Sequence, residues 1–345
     1  MRILTAIFFL MTAGAASAQT NERLLIEGSS TVSPFMREAL TLLPDDQFVE
    51  VRQDGTGAGL SHICSNDPQA PSIATASRQI NPKELARCVE VGIAKLIEKP
   101  IGRDGIVLAQ SEKSKPMELT ARQLYMALGH SVPRSNDDCI LMLNERANWR
   151  EVSDVLPNRE IMVIGPPRTS GTRDIFLERA IEDGARSFPC LDALEKTNPE
   201  YFERATKLRQ DNHWIEGGEH DDAVAKTLHY VHDAIGIFGY AYLLNSEGLK
   251  PIMLEGHEPN RDTIGSGAYA LSRPLFLYTT PENFAEQKIV HQIFDVFDSF
   301  AATGPQGVLT KMGLVASKEG AHPEMIDTAT GARETFAIEA GASGH

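Results

Sequence analysis

Twice in this chain a short apolar run feeds a loop of small hydroxyl-bearing residues that opens directly into an amphipathic stretch. The first instance runs from Leu24-Leu25-Ile26 through Gly28-Ser29-Ser30-Thr31-Val32-Ser33-Pro34 into Phe35 to Leu43. The second runs from Ile161-Met162-Val163-Ile164 through Arg168-Thr169-Ser170-Gly171-Thr172-Arg173 into Asp174 to Ile181, with Gly184 as the expected stop. Both read as strand, loop, helix. Alternation of this kind predicts α/β architecture, in which helices cover a sheet. It also puts hydroxyls and unpaired amide N–H groups together at a helix start, where an oxyanion fits. Gly171 lets the backbone come close, and Arg168 brings full charge. One such loop alone is as readily an ordinary helix cap with a solvated arginine. A second copy tips the balance toward an anion site.

The remaining pattern supports the same class. Phe48 to Arg52 reads as a strand, followed by the glycine-rich turn Asp54 to Leu60. That turn, Gly55-x-Gly57-x-Gly59, lacks the spacing of a dinucleotide fingerprint. Lys83 to Val89 and Thr120 to Leu128 read as helices, with Thr120 as N-cap. Gly105 to Ala109 and Arg273 to Tyr278 read as further strands, Ala234 to Tyr240 as a compact apolar and glycine segment, and Pro281 to Phe300 as one long helix. Residues 130–148 are polar and read as an insertion or long loop, and residues 318–345 as a loosely held tail. Trp149 and Phe238 are expected in the core, Arg173 on a helix surface, and Arg103 in a structural role.

The N-terminus reads as an export signal over residues 1–18: Arg2, the apolar run Ile3 to Met11, and the small cleavage site Ala16-Ser17-Ala18. The mature chain is expected to begin at Gln19, without a membrane span. At 345 residues the protein is too long for one ordinary core, so two domains are expected. Its formal charge is −14, and loss of Arg2 makes it one unit more negative. Such a balance argues against a nucleic-acid binder but not against a small anion held at close range. Four cysteines, Cys64, Cys88, Cys139 and Cys190, suit an oxidising compartment. Three pairings are possible, and Cys64–Cys88 with Cys139–Cys190 is favoured because each pair falls within one presumptive lobe. The cysteines show no metal-ligand spacing, and His213, His220, His229 and His232 read as surface residues, so neither metal nor cofactor is expected.

An ordered series of segments then carries a family resemblance. Gly28-Ser29-Ser30-Thr31-Val32, Ala76-Ser77-Arg78, Arg103-Asp104-Gly105-Ile106-Val107, Asn148-Trp149-Arg150-Glu151-Val152, Arg168-x-Ser170-Gly171-Thr172, Leu271-Ser272-Arg273-Pro274-Leu275, Thr303-Gly304-Pro305-Gln306-Gly307 and Lys311-Met312-Gly313-Leu314 occur in turn. Together they resemble the phosphate-binding periplasmic proteins of phosphate ABC transporters over roughly residues 24–317. The resemblance implies a periplasmic binding protein type II fold: two α/β lobes, each a mixed sheet flanked by helices, joined by crossovers near Gly102–Val107 and Gly267–Arg273. Lobe I would span 19–103 plus 271–317, and lobe II 104–270. Inorganic phosphate would be the ligand and ABC permease subunits the partners of a monomeric periplasmic protein that is neither membrane-embedded nor a nucleic-acid binder.

By the same resemblance Ser30, Thr31 and Val32 would contact the anion from lobe I. Arg168, Ser170, Gly171 and Thr172 would contact it from lobe II, with Gly57 and Ala58 on a third loop. Arg78 would either reach the ligand or pair with a carboxylate between the lobes, and Arg273 would brace the return crossover. Two departures bear on selectivity. Ala58 stands where the family often has serine, and Arg78 where it often has aspartate. A carboxylate there can accept a phosphate proton, which sulfate lacks near neutral pH. Asp54 and Asp104 are the candidate substitutes. Sulfate or another tetrahedral oxyanion is therefore the alternative ligand.

An enzyme, such as a phosphate-ester hydrolase, is the remaining rival. Ser170 lacks the G-x-S-x-G setting of an activated nucleophile. Magnitudes favour binding alone. Helix termini contribute about 1 kcal/mol each, and hydrogen bonds to charged groups roughly 1.5–3 kcal/mol. Micromolar affinity requires about 8 kcal/mol.

Overall fold

The computed structural model describes residues 24–44, 48–136, 138–168, 170–218, 221–317 and 322–336. The export signal expected over residues 1–18 lies outside them. Strand β1 (Leu24–Gly28) leads into helix α1 (Val32–Leu40) and then strand β2 (Val49–Arg52). Helix α2 (Thr56–Ile63), strand β3 (Ile73–Ala76) and helix α3 (Pro82–Glu90) follow. The glycine-rich turn expected at 54–60 is thus largely the first turns of α2. Its bend is confined to Gly55, at φ 96°. Asn81 caps α3 in a reciprocal box with Glu84, and Pro82 occupies the first turn, so the start of this helix is fixed locally.

The 17-residue strand β4 (Lys95–Ser111) is the spine of the molecule. Its first part pairs antiparallel with Ser272–Thr279, which pairs in turn with β3; β1 lies parallel to β2 and β3. The second part of β4 pairs antiparallel with Ile235–Gly239, which runs parallel to Val163–Gly165. Val163–Gly165 is in turn parallel to Trp214–Glu216. Two strand clusters therefore share β4, and the handover falls at Arg103–Gly105, opposite Ser272 and Arg273.

The apolar cores divide at the same place. The buried members of one cluster run from Ile106 to Leu271 and include Trp149 and Phe238, as the sequence led us to expect. Two others are built from residues up to Ile101 and from Leu275 onward. The result is a two-lobed α/β fold. Each lobe closes around its own cysteine pair: Cys64 is bonded to Cys88, and Cys139 to Cys190. This is the pairing favoured from the sequence.

Four local expectations are corrected. Residues 131–143 form a β-hairpin, Ser131–Ser135 against Asp138–Leu143, rather than a loop. Val132 and Pro133 are its buried positions, and the disulfide at Cys139 holds it. The polar residues and Pro133 hid the alternation. Buried Asn144 then donates to the carbonyls of Met126 and Gly129, and Arg209 donates to that of Ala127, so the backbone groups at the end of the preceding helix are answered. Second, Gly184 does not stop its helix: Gly171–Phe176, a π-helical turn Leu177–Glu182 and Asp183–Arg186 run on without a break. Gly184 instead admits the Ala121 carbonyl, which a β-carbon would meet at 2.3 Å. Third, the helix expected over 281–300 is split at Gln287 into Pro281–Glu286 and Lys288–Val296.

The fourth correction concerns the C-terminus. Glu324–Asp327 joins the sheet beside Lys95–Glu98 and is backed by Arg333–Thr335. Ile326 is fully buried there. Arg333 reaches Glu98, a buried carboxylate also bound by the Tyr278 hydroxyl at 2.5 Å and by Gln79. The stretch 322–336 is thus a built part of the first lobe, not a loose tail.

Candidate functional site

Both hydroxyl-rich loops end at one cleft of about 610 Å³. Gly28 makes the exit from β1 possible. It adopts φ 139°, and a β-carbon would lie 2.2 Å from the Thr75 carbonyl oxygen. The chain then turns so that Ser29 caps α1 from within, its Oγ accepting from the N–H of Thr31 at 3.2 Å and of Val32 at 3.4 Å. On the opposite lobe Ser170 caps its helix by accepting from the Thr172 N–H at 3.2 Å. The two helix starts face each other closely. A β-carbon on Gly171 would sit 2.8 Å from Thr31 Oγ1 and 3.1 Å from Ser30 Oγ.

Ser30, Thr31, Ser170, Gly171 and Thr172 line the cleft. Val32 does not. It is fully buried under the loop, and its N–H is answered by Ser29. Gly57 and Ala58 lie exposed on the first turn of α2, away from the cleft lining. Thr56 at the start of that helix ties it to the neighbouring loop: its Oγ1 accepts from the Ser77 N–H at 3.1 Å and lies 3.2 Å from Ser77 Oγ.

The arginines are redistributed most. Arg168 is 67% exposed and faces Glu216 at 3.8 Å, so the structure does not bring it to the cleft. Arg173, expected on a surface, is buried. It donates to the Pro166 carbonyl and Glu216 and lies over the Trp214 ring. Arg78 forms a two-point bond to Glu84 at 2.8 and 2.9 Å within its own lobe, neither at the ligand nor between lobes. Hydrogen bonding to Glu84 pushes the guanidinium pKa up. Arg273 is 6% exposed and spans the lobes, donating to Ser77 Oγ at 3.3 Å and to the Gly171 carbonyl at 3.1 Å. Burial pulls its pKa down to about 10, against the opposing influence of Asp104, Glu178 and Asp174.

Sequence reasoning missed Gln53, Asn245, Tyr242 and Lys311, which also line the cleft. Lys311 opens the Lys311-Met312-Gly313-Leu314 motif, and nothing in its local pattern distinguishes it from a solvated lysine. Of the two substitute carboxylates, Asp104 lines the cleft and Asp54 does not. Among the described residues no cluster of histidine, cysteine or carboxylate could hold a metal ion. The chemistry gathered here is hydroxyl, amide, one carboxylate and one ammonium, and the buried guanidinium of Arg273 holds the Gly171 carbonyl of the cleft wall. That set is suited to hydrogen-bonding a small tetrahedral oxyanion rather than to activating a nucleophile.

A two-lobed α/β molecule with its polar cleft at facing helix starts is the architecture of solute-binding proteins. The family model described as a PBP superfamily domain matches residues 13–302, and the chain belongs to that superfamily. It is 26% identical over 311 residues to the phosphate-binding protein PstS of Staphylococcus epidermidis, covering 87% of this chain and 81% of that protein. A possible phosphate-binding protein from Planctomyces limnophilus superposes with a TM-score of 0.62 at 24% identity, covering 87% of this chain and 94% of that one. A substrate-binding protein of a putative phosphate ABC transporter from Clostridium perfringens, solved with bound phosphate, gives 0.52 at 20% identity over 86% of this chain and all of that one. No helix among the described residues is long and apolar enough to cross a membrane.

Proposed function

We propose that this protein captures inorganic phosphate between its lobes and delivers it to the permease of an ABC transporter. In this reading it works as a single chain in the periplasm, exported by the signal at residues 1–18. Lobe I comprises residues 19–103 and 271–317 with the hairpin 322–336; lobe II comprises 104–270. The observation that carries the reading is the facing pair of hydroxyl-lined helix starts, Ser30–Thr31 and Ser170–Thr172, at one cleft. The names and ligands of the relatives support it.

Selectivity is the point at which sulfate enters as a second reading, because Arg78 replaces an acidic residue and is held by Glu84. Asp104 in the cleft wall is the carboxylate able to accept a proton from phosphate, and we assign phosphate as the preferred ligand on that ground. Binding without turnover is the reading we favour, since among the described residues neither the Ser170 nor the Thr172 hydroxyl is bonded to a histidine or carboxylate that could activate it. Calorimetric titration of the ligand-free protein with phosphate, sulfate and arsenate tests this. Phosphate is expected to bind with micromolar or better affinity and sulfate more weakly. Binding of none would refute the assignment, and tighter sulfate binding would replace it with the second reading. Incubation with a generic phosphoester is expected to release no phosphate.

A further inference from the structure

Arg273 begins the strand that returns the chain to the first lobe, directly opposite Asp104 on β4. Its side chain is almost wholly buried, yet among the described residues it forms no ion pair. Asp104, Glu178 and Asp174 act on it through space, and Arg179 acts against it. Two of its donors meet neutral acceptors, Ser77 Oγ and the Gly171 carbonyl. Its Nε is buried with no partner at all. A buried cation left with neutral acceptors and an unanswered donor is costly, and an incoming anion removes that cost. A second orphan lies on the other side of Gly171: Thr31 Oγ1, also buried and unpartnered.

Arg103, beside Asp104, shares a buried and unpartnered Nε but is only partly buried as a residue, and the cations of the loops themselves are not in this condition. Arg168 and Arg78 already face carboxylates, Arg168 largely exposed and Arg78 half-buried. Arg173 is engaged by Glu216. Lys311 reaches the cleft from an exposed position.

We propose that Arg273 is the ligand-contacting cation of the site, its Nε–H donating to the bound oxyanion while its terminal nitrogens hold Ser77 and Gly171 in place. One residue then supplies the charge and fixes the loops from both lobes. The proposal rests on the phosphate reading above and assigns its positive charge to a residue of the return crossover rather than to either hydroxyl-rich loop.

The test uses the full mature protein and inorganic phosphate. Arg273→Met is expected to lower phosphate affinity by about a hundredfold. Arg273→Lys keeps the charge but not the fork and is expected to fall between Met and wild type. A residue that only braced the loops would lose equally in both variants. In wild-type protein with 15N-labelled arginine, the Nε–H resonance missing from Arg273→Lys should move downfield on addition of phosphate. That measurement stands if the Met variant fails to fold. Wild-type affinity in Arg273→Met, equal losses in the two variants, or an unmoved Nε–H resonance would overturn the proposal. Absence of phosphate binding by the wild type would instead remove the transport reading on which it rests.

Discussion

Gly171 and Thr31 meet across the cleft so closely that a β-carbon on the glycine would lie 2.8 Å from the threonine hydroxyl oxygen and 3.3 Å from its backbone nitrogen. Neither a hydroxyl on a capped helix start nor a backbone nitrogen can retreat without moving the loop that carries it. Gly171→Ala should therefore hold the lobes apart where the anion sits. We expect phosphate affinity to fall at least about tenfold, with the unfolding midpoint nearly unchanged. Calorimetry alongside urea denaturation checks this, and unaltered affinity would show that the two loops separate freely.

Arg168 and Arg173, five residues apart, are expected to behave in opposite ways. Arg168 makes an exposed, long contact with Glu216, and such pairs contribute little. Arg168→Ala should change phosphate affinity by less than about threefold. Arg173→Ala removes a buried guanidinium from the Pro166 carbonyl, Glu216 and the Trp214 face. It should cost roughly 2–3 kcal/mol of stability. Urea unfolding of both variants, paired with phosphate titration, separates the two roles; a large affinity loss in Arg168→Ala would restore that residue to the site.

Deleting the C-terminal hairpin should weaken the fold and spare the ligand site. Removal of residues from Glu324 onward takes the buried Ile326 out of the first-lobe core and Arg333 from the buried carboxylate of Glu98. A loss of roughly 2–4 kcal/mol is expected, because the hairpin both buries apolar surface and answers a charge. Thermal unfolding of the truncated protein measures it, with phosphate affinity within about threefold of wild type. A midpoint equal to that of the full chain would mean the hairpin is ornamental.

His62 gives the first lobe a pH dependence with a defined sign. Its Nδ1 lies 2.8 Å from Glu27 Oε2, and hydrogen bonding to Glu27, with a further contribution from Asp67, raises the imidazole pKa above the usual 6.5. A group whose folded pKa is raised stabilises fully below its unfolded value and loses that contribution as pH climbs through the folded one. Wild-type protein should therefore lose stability relative to His62→Gln as pH rises above about 6.5. Urea midpoints of the two proteins across that range are the measurement, and parallel curves would exclude the pair as a source of the dependence.

Much of the local grammar was readable from the chain. Thr120 and Ser170 cap helices as their neighbours require, and the Ser30–Thr31 and Ser170–Thr172 loops reach the same cleft. The failures share one cause. Whether Gly184 ends a helix or lets the Ala121 carbonyl approach depends on a segment some sixty residues away. The hairpin at 131–143 depends in the same way on Cys190, and the strand at 324–327 on β4.

The arginines make that division sharpest. Sequence by itself determined that the chain is α/β, that hydroxyl-rich loops open its helices, and which loops those are, because strand periodicity and capping act over a few residues. It did not determine which guanidinium serves the cleft. Arg168, Arg78, Arg173 and Arg273 differ chiefly in which carboxylate each meets and how much water each loses, and those partners lie at distances along the chain that only folding closes. Tertiary structure placed Arg168 outside with Glu216, locked Arg78 to Glu84, and left Arg273 buried between Ser77 and Gly171. Charge burial is a property of the assembled lobes, not of any stretch of sequence.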